Sequence, residues 1–164
     1  MNFGIIALSA LVPLVMGFIW YNPKTFGTIW QREAGVTDEQ MKNANMGIIF
    51  GVTLVFSFLL AMAMQLLVIH QVHVFSIFAD TPGAQDESTE IGAYLKNFMD
   101  LYGKNFRTFK HGAFHGFISG IFVAMPIFGI NALFERKSFK YIWIHTGYWA
   151  ITMCLMGGII SQWA

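Results

Sequence analysis

The sequence predicts an all-α fold, a four-helix transmembrane bundle with a short amphipathic helix in its second connection. Three observations predict it. Four stretches, Ile5 to Tyr21, Met46 to Val72, Gly112 to Phe134 and Tyr141 to Ala164, contain no Asp, Glu, Lys or Arg, and a charge at the centre of a spanning helix costs about 2.5 to 3.5 kcal/mol. They hold 91 of the 164 residues, where a random draw at 12% charged content would place roughly eleven charges. Each is long enough, or nearly so, to cross a hydrocarbon core of about 30 Å as a helix. In the second connection, Ile91, Leu95, Phe98 and Tyr102 recur at helical spacing among polar residues. The expected spans are 4–21, 46–72, 112–134 and 141–163, with an amphipathic segment over 88–103, all in a single integral membrane domain, 1–164.

Composition excludes several classes. A net charge of +1 and the lack of any long basic run argue against nucleic acid as a partner. The lone cysteine, Cys154, has no partner for an internal disulfide and reads as a small packing residue. Met1 to Gly4 carries no Lys or Arg, and the first apolar run ends in Trp20-Tyr21, so this run reads as a retained helix and not a cleaved signal.

Along the chain, the first span contains Pro13 and exits through Lys24 and Trp30. Thr37-Asp38-Glu39-Gln40 has the capping-box pattern and should start a helix leading toward the second span. Asp80-Thr81-Pro82-Gly83 is a turn, and the amphipathic segment after it suits either the membrane surface or the ends of the spans. In the third span Gly112, Gly116 and Gly120 form a small-residue stripe that lets a neighbouring helix approach closely. Connections one and three hold six basic side chains against four in the second, which favours the former in the cytoplasm and both termini outside.

An offset of 113 positions superposes Pro13 on Pro126, Lys24 on Lys137, Phe26 on Phe139, Ile29 on Ile142 and Trp30 on Trp143. A duplicated two-helix unit is one source of such a match, its copies related by an axis along the membrane normal. Pro13 and Pro126 each remove a backbone donor and predict kinks at corresponding depth, either as packing features or beside a binding site near the midplane.

Histidine supplies the only titratable chemistry in or near the spans. His70 and His73 close the second span while His111 and His115 open the third, so antiparallel neighbours bring all four to one membrane face. They are candidates for binding a metal or sensing pH, beside the plain alternative of interfacial histidines that meet water or headgroups. His145 belongs to the opposite face, roughly 20 Å away along straight helices. There Lys24, Trp30, Arg136, Lys137 and Trp143 are candidates for contact with an anionic headgroup or a partner, or for simple interface anchors. No Gly-rich phosphate loop, GxSxG or HExxH pattern and no carboxylate pair within the spans occurs, so no enzyme and no cofactor is expected.

The run Trp20-Tyr21-Asn22-Pro23-Lys24-Thr25-Phe26-Gly27, followed by Trp30, resembles the first segment of a bacterial family of small membrane proteins catalogued as domain of unknown function 1761. Asn45-Met46-Gly47, Asn131 to Arg136, Gly147-Tyr148-Trp149 and Met156-Gly157-Gly158 extend the resemblance over nearly the whole chain outside about Val74 to Lys104. It implies a four-span fold in a bacterial cytoplasmic membrane, with a second connection longer than usual. It implies no activity.

The expected function is therefore non-catalytic: a binding or accessory subunit of a membrane assembly, with membrane lipid and a protein partner or further copies of the chain around it. A small homo-oligomeric transporter or channel is one alternative, and a pH or metal sensor at the outer face is another.

Overall fold

The computed structural model describes residues 2–164, and every regular element among them is helical. The first span is built from α1 (Phe3–Ser9) and α2 (Val12–Trp20), separated by a break at Ala10 and Leu11. Asn2 caps α1 by accepting from the Gly4 and Ile5 amides. Pro13, second residue of α2, has no amide hydrogen to return to the preceding turn, so one continuous helix is not maintained. The first connection carries α3 (Gly27–Ala34) and α4 (Asp38–Lys42), the latter opened by the expected capping box between Thr37 and Gln40.

The second span is α5 (Met46–Val68), capped by the Asn45 side chain. It ends earlier than the apolar run predicts, because Ile69 turns to extended geometry (φ −113, ψ 98) and residues 70–72 start a new helix, α6 (His70–Ile77). The amphipathic helix α7 (Glu90–Tyr102) follows, N-capped by Thr89. The third span starts before its apolar run: α8 (Phe109–Ser119) passes through a π-turn at Gly120–Ala124 into α9 (Met125–Phe134). Pro126 is the second residue of α9, as Pro13 is of α2, so the 113-residue offset superposes two interrupted helices. The last helix, α10 (Phe139–Trp163), starts at the Ser138 cap.

Three helices are long and apolar enough to cross a membrane: Phe3–Trp20, Met46–Val68 and Phe109–Phe134. The fourth expected span, α10, has the length, at 25 residues, but is less apolar. Burial explains the difference. α10 runs through the middle of the bundle, touching α1, α2, α3, α5, α8 and α9, and its Thr146, Tyr148, Thr152 and Ser161 are enclosed by protein. The other helices are inverted relative to a water-soluble fold: Phe18, Val55, Phe56, Leu59, Phe122 and Ile127 are exposed, while Ser9, Ser57 and Gln65 are buried. Such a surface suits hydrocarbon as solvent.

The tightest contact joins α8 and the first residue of the π-turn after it to α10. A Cβ built on Gly112, Gly116 or Gly120 would run into the backbone of Gly157, Met153 or Ala150 respectively. These glycines let two backbones touch, and that close approach maximises dispersion contacts between helices that lipid gives no hydrophobic reason to associate. Replacing Gly116 with Val should lower the unfolding free energy in detergent by about 2 to 3 kcal/mol through overpacking. Gly51→Val, where nothing lies within 4 Å of the added carbon, should change it by less than about 0.5 kcal/mol. Equal losses in denaturant titrations would contradict this packing.

Candidate functional site

The glycine stripe fixes which way the rest of α8 points. Residues 112, 116 and 120 face α10, so positions 111 and 115, one residue and about 100° earlier on the helix, point to the side where α5 and α6 pack. His111 and His115 stand one turn apart there, above the Thr108 cap. His70 reaches them from the start of α6, where the break at Ile69 redirects the chain.

The three rings converge. His70 Nε2 and His111 Nε2 are 2.9 Å apart, and one nitrogen from each of His70, His111 and His115 lies within 4.8 Å of the others. Ring centroids are 4.5 Å apart for His111 and His115, and 5.0 and 5.1 Å from His70 to these two. Tetrahedral ligation at about 2.0–2.1 Å per nitrogen sets neighbouring ligand atoms roughly 3.3–3.4 Å apart, so small ring rotations fit these side chains to one ion. A set of neutral imidazoles without carboxylate or thiolate selects borderline divalent metals such as zinc over calcium or magnesium.

The surroundings add a lid and an open side. Phe106, in left-handed backbone geometry (φ 63), lays its ring 4.8 Å from His111 and edge-on to His70. His70 and Gln71 line a cavity of about 330 Å³ walled by Phe98, Met99 and Tyr102. Gln71 donates to the Asn105 carbonyl at 2.8 Å, and its buried Oε1 has no partner among the described residues. Three protein ligands leave a coordination position open for water.

His73 does not join the cluster. The break at Ile69 removes helical donors from the end of α5, and His73 Nε2 turns back to the Leu66 carbonyl at 2.7 Å. Ser119, on the same face as His115, hydrogen-bonds the His115 carbonyl and not a ring.

At the opposite end of the bundle the remaining site residues spread over one face without converging. Lys137 donates to the Ala34 carbonyl at 2.6 Å and lies 5.8 Å over the Tyr141 ring, so it ties the third connection to the first. Arg136 sits in left-handed geometry (φ 59), Trp143 is exposed, and Trp30 packs edge-on against Tyr21. Sequence reasoning missed the polar seam just inside. Trp20 Nε1 donates to the Ile144 carbonyl, Tyr21 shares a 2.8 Å hydrogen bond with His145 Nδ1, and Tyr148 donates to the Pro13 carbonyl at 2.8 Å. Such pairs join residues more than a hundred positions apart and leave no local periodicity.

Segments that are distant in sequence thus meet in pairs. Trp20 packs on Gly147, Tyr21 on Tyr148, and Gly157 on Gly112. The family model described as "Protein of unknown function (DUF1761)" matches residues 5–161. The chain belongs to this family. The match covers every helix that carries the cluster, so the histidine site of this DUF1761 protein lies inside the family domain and not in an appendage. No curated protein and no solved structure matches the chain.

The connections at the far face also carry a pH-sensitive link. Ser138, at 2.6 Å, and Arg32 hold the Glu33 carboxyl below the usual carboxylate range. A depressed folded-state value contributes stability present above the unfolded value and lost as pH falls through the folded one. The melting temperature of the wild type should therefore drop on acidification below pH 4.5 by slightly more than that of Glu33→Gln. Parallel melting curves would show that the link contributes nothing.

Proposed function

We propose that this protein is a non-catalytic membrane protein that binds one borderline divalent metal ion at His70, His111 and His115 and acts as a metal sensor. The observation that carries the reading is the convergence of three imidazole nitrogens within 4.8 Å, from two separate helices, at a membrane boundary. The boundary position follows from α5 ending at Val68 and the third span beginning at Phe109. An ion there would cross-link α6 to α8 and so couple the outer segment, residues 70–102, to the bundle. That coupling is what a sensor requires, a ligand binding one arrangement of a segment better than another.

The accessory-subunit reading loses one of its supports, because the glycine stripe offered for docking is occupied by α10 of the same chain. For a multi-pass protein of a bacterial cytoplasmic membrane with both termini outside, as the tally of basic side chains favours, the cluster would face the exterior and sample ions there. α10, sheathed by its neighbours, would serve as the fourth crossing.

Purified protein stripped with chelator and titrated with zinc by calorimetry should bind one ion per chain. Loss of a ligand in His115→Ala should weaken binding by more than the ~10–100-fold that removing a supporting group costs. His73→Ala should bind as wild type does. Since ligand imidazoles must be neutral, binding competes with protonation and affinity should fall on acidification. No zinc uptake by the wild type, or equal uptake by His115→Ala, would overturn the proposal.

A further inference from the structure

A second site lies away from the histidines. Between α2 and α5 the structure holds a lateral crevice of about 560 Å³, within the ~300–1,000 Å³ typical of small-molecule sites. Pro13 and Gly17 form one wall, Phe50 and Thr53 the other, and Tyr148 of α10 the floor. Its existence has a local cause. The Tyr148 hydroxyl bonds the Pro13 carbonyl at 2.8 Å and holds α2 at that distance, while Gly17 contributes no side chain to fill the gap. A Cβ placed on Gly17 would meet only that hydroxyl, at 4.0 Å.

The crevice is flanked by two of the helices apolar enough to cross a membrane, and exposed Phe18 and Ile49 stand among its lining residues. Phe18 of α2 packs on Phe50 of α5 with ring centroids 5.4 Å apart and closes part of the slot. The remaining opening lies beside exposed apolar side chains that suit hydrocarbon, and the occupant that hydrocarbon supplies is an acyl chain. The end toward the first connection is different in character. Asn22 and Trp30 line it, and the Asn22 side-chain oxygen already accepts from the Lys24 amide at 2.9 Å. Asn22 Nδ2, Trp30 Nε1 and Thr53 Oγ1 make no hydrogen bond among the described residues, so the lining presents free donors. Lys24 and Lys42 adjoin the same end in sequence, and neither forms an ion pair among the described residues. Free donors and cations next to an apolar slot call for a ligand with a hydrocarbon tail and a head of anionic oxygens.

We propose that this crevice binds one glycerophospholipid, its acyl chain between α2 and α5 and its ester and phosphate oxygens at Asn22 and Trp30 beside Lys24. The proposal is independent of the metal site.

Native mass spectrometry of the protein extracted in mild detergent and then washed extensively tests it. The wild type should retain one phospholipid per chain, and Gly17→Leu, which fills the slot with space to spare around its Cβ, should retain none. Thr53→Leu, acting from the α5 wall, is a second filling variant should the first fail to fold, and should also lose the lipid. Trp30→Phe, which removes a head donor and keeps the slot, should shed its lipid at lower detergent concentration than the wild type does. Gly51→Leu, on an exposed part of α5 with nothing near it, controls for bulk annular lipid and should retain the bound molecule. Absence of a retained lipid in the wild type, equal retention in both filling variants, or retention of an amphiphile without phosphorus would overturn the assignment.

Discussion

Backbone-to-backbone contact between α8 and α10 constrains everything else in this molecule. Gly112, Gly116 and Gly120 meet Gly157, Met153 and Ala150 so closely that neither helix can rotate or slide without opening a gap along its length. In lipid, where apolar side chains gain nothing from leaving the solvent, such shape complementarity is the main source of helix association. Because the helix repeat then fixes every other direction, the same contact sets His111 and His115 against α5 and α6. The histidine cluster is a consequence of glycine packing on the neighbouring face of the same helix.

Interruptions supply the second constraint. Ala10 and Leu11, Ile69 and the π-turn at Gly120–Ala124 each break a helix that would otherwise cross the bilayer straight. At Ile69 the break frees the Leu66 carbonyl, which hydrocarbon cannot satisfy, and the His73 ring answers it. Beside the first break, Tyr148 reaches the Pro13 carbonyl and props open the crevice. The break at Ile69 also turns His70 toward α8. Both proposed sites thus lie beside places where regular helix is given up.

What could be read in the sequence followed from solvent and local periodicity. Charge exclusion marks the apolar helices, and Thr37 to Gln40 spells out its own cap. Histidines at the facing ends of two antiparallel helices predict proximity, and His70, His111 and His115 do come together. The separation of His73 was not legible, since it depends on α5 ending at Val68 inside a run whose composition never changes. The same holds for α10, where an unbroken charge-free stretch hides that Thr146, Thr152 and Ser161 are interior. The seam from Trp20 and Tyr21 to Ile144, His145 and Tyr148 joins opposite ends of the chain, and nothing local could announce it.

The central claim is that three imidazoles from α6 and α8 form one metal-binding site. X-ray absorption spectroscopy at the metal edge, on protein purified without chelator and loaded with a single equivalent of zinc, tests it most directly. The account predicts a first shell dominated by imidazole nitrogen, three rings at about 2.0–2.1 Å with one further light ligand. A six-coordinate shell of oxygen alone, or one imidazole per ion, would contradict it.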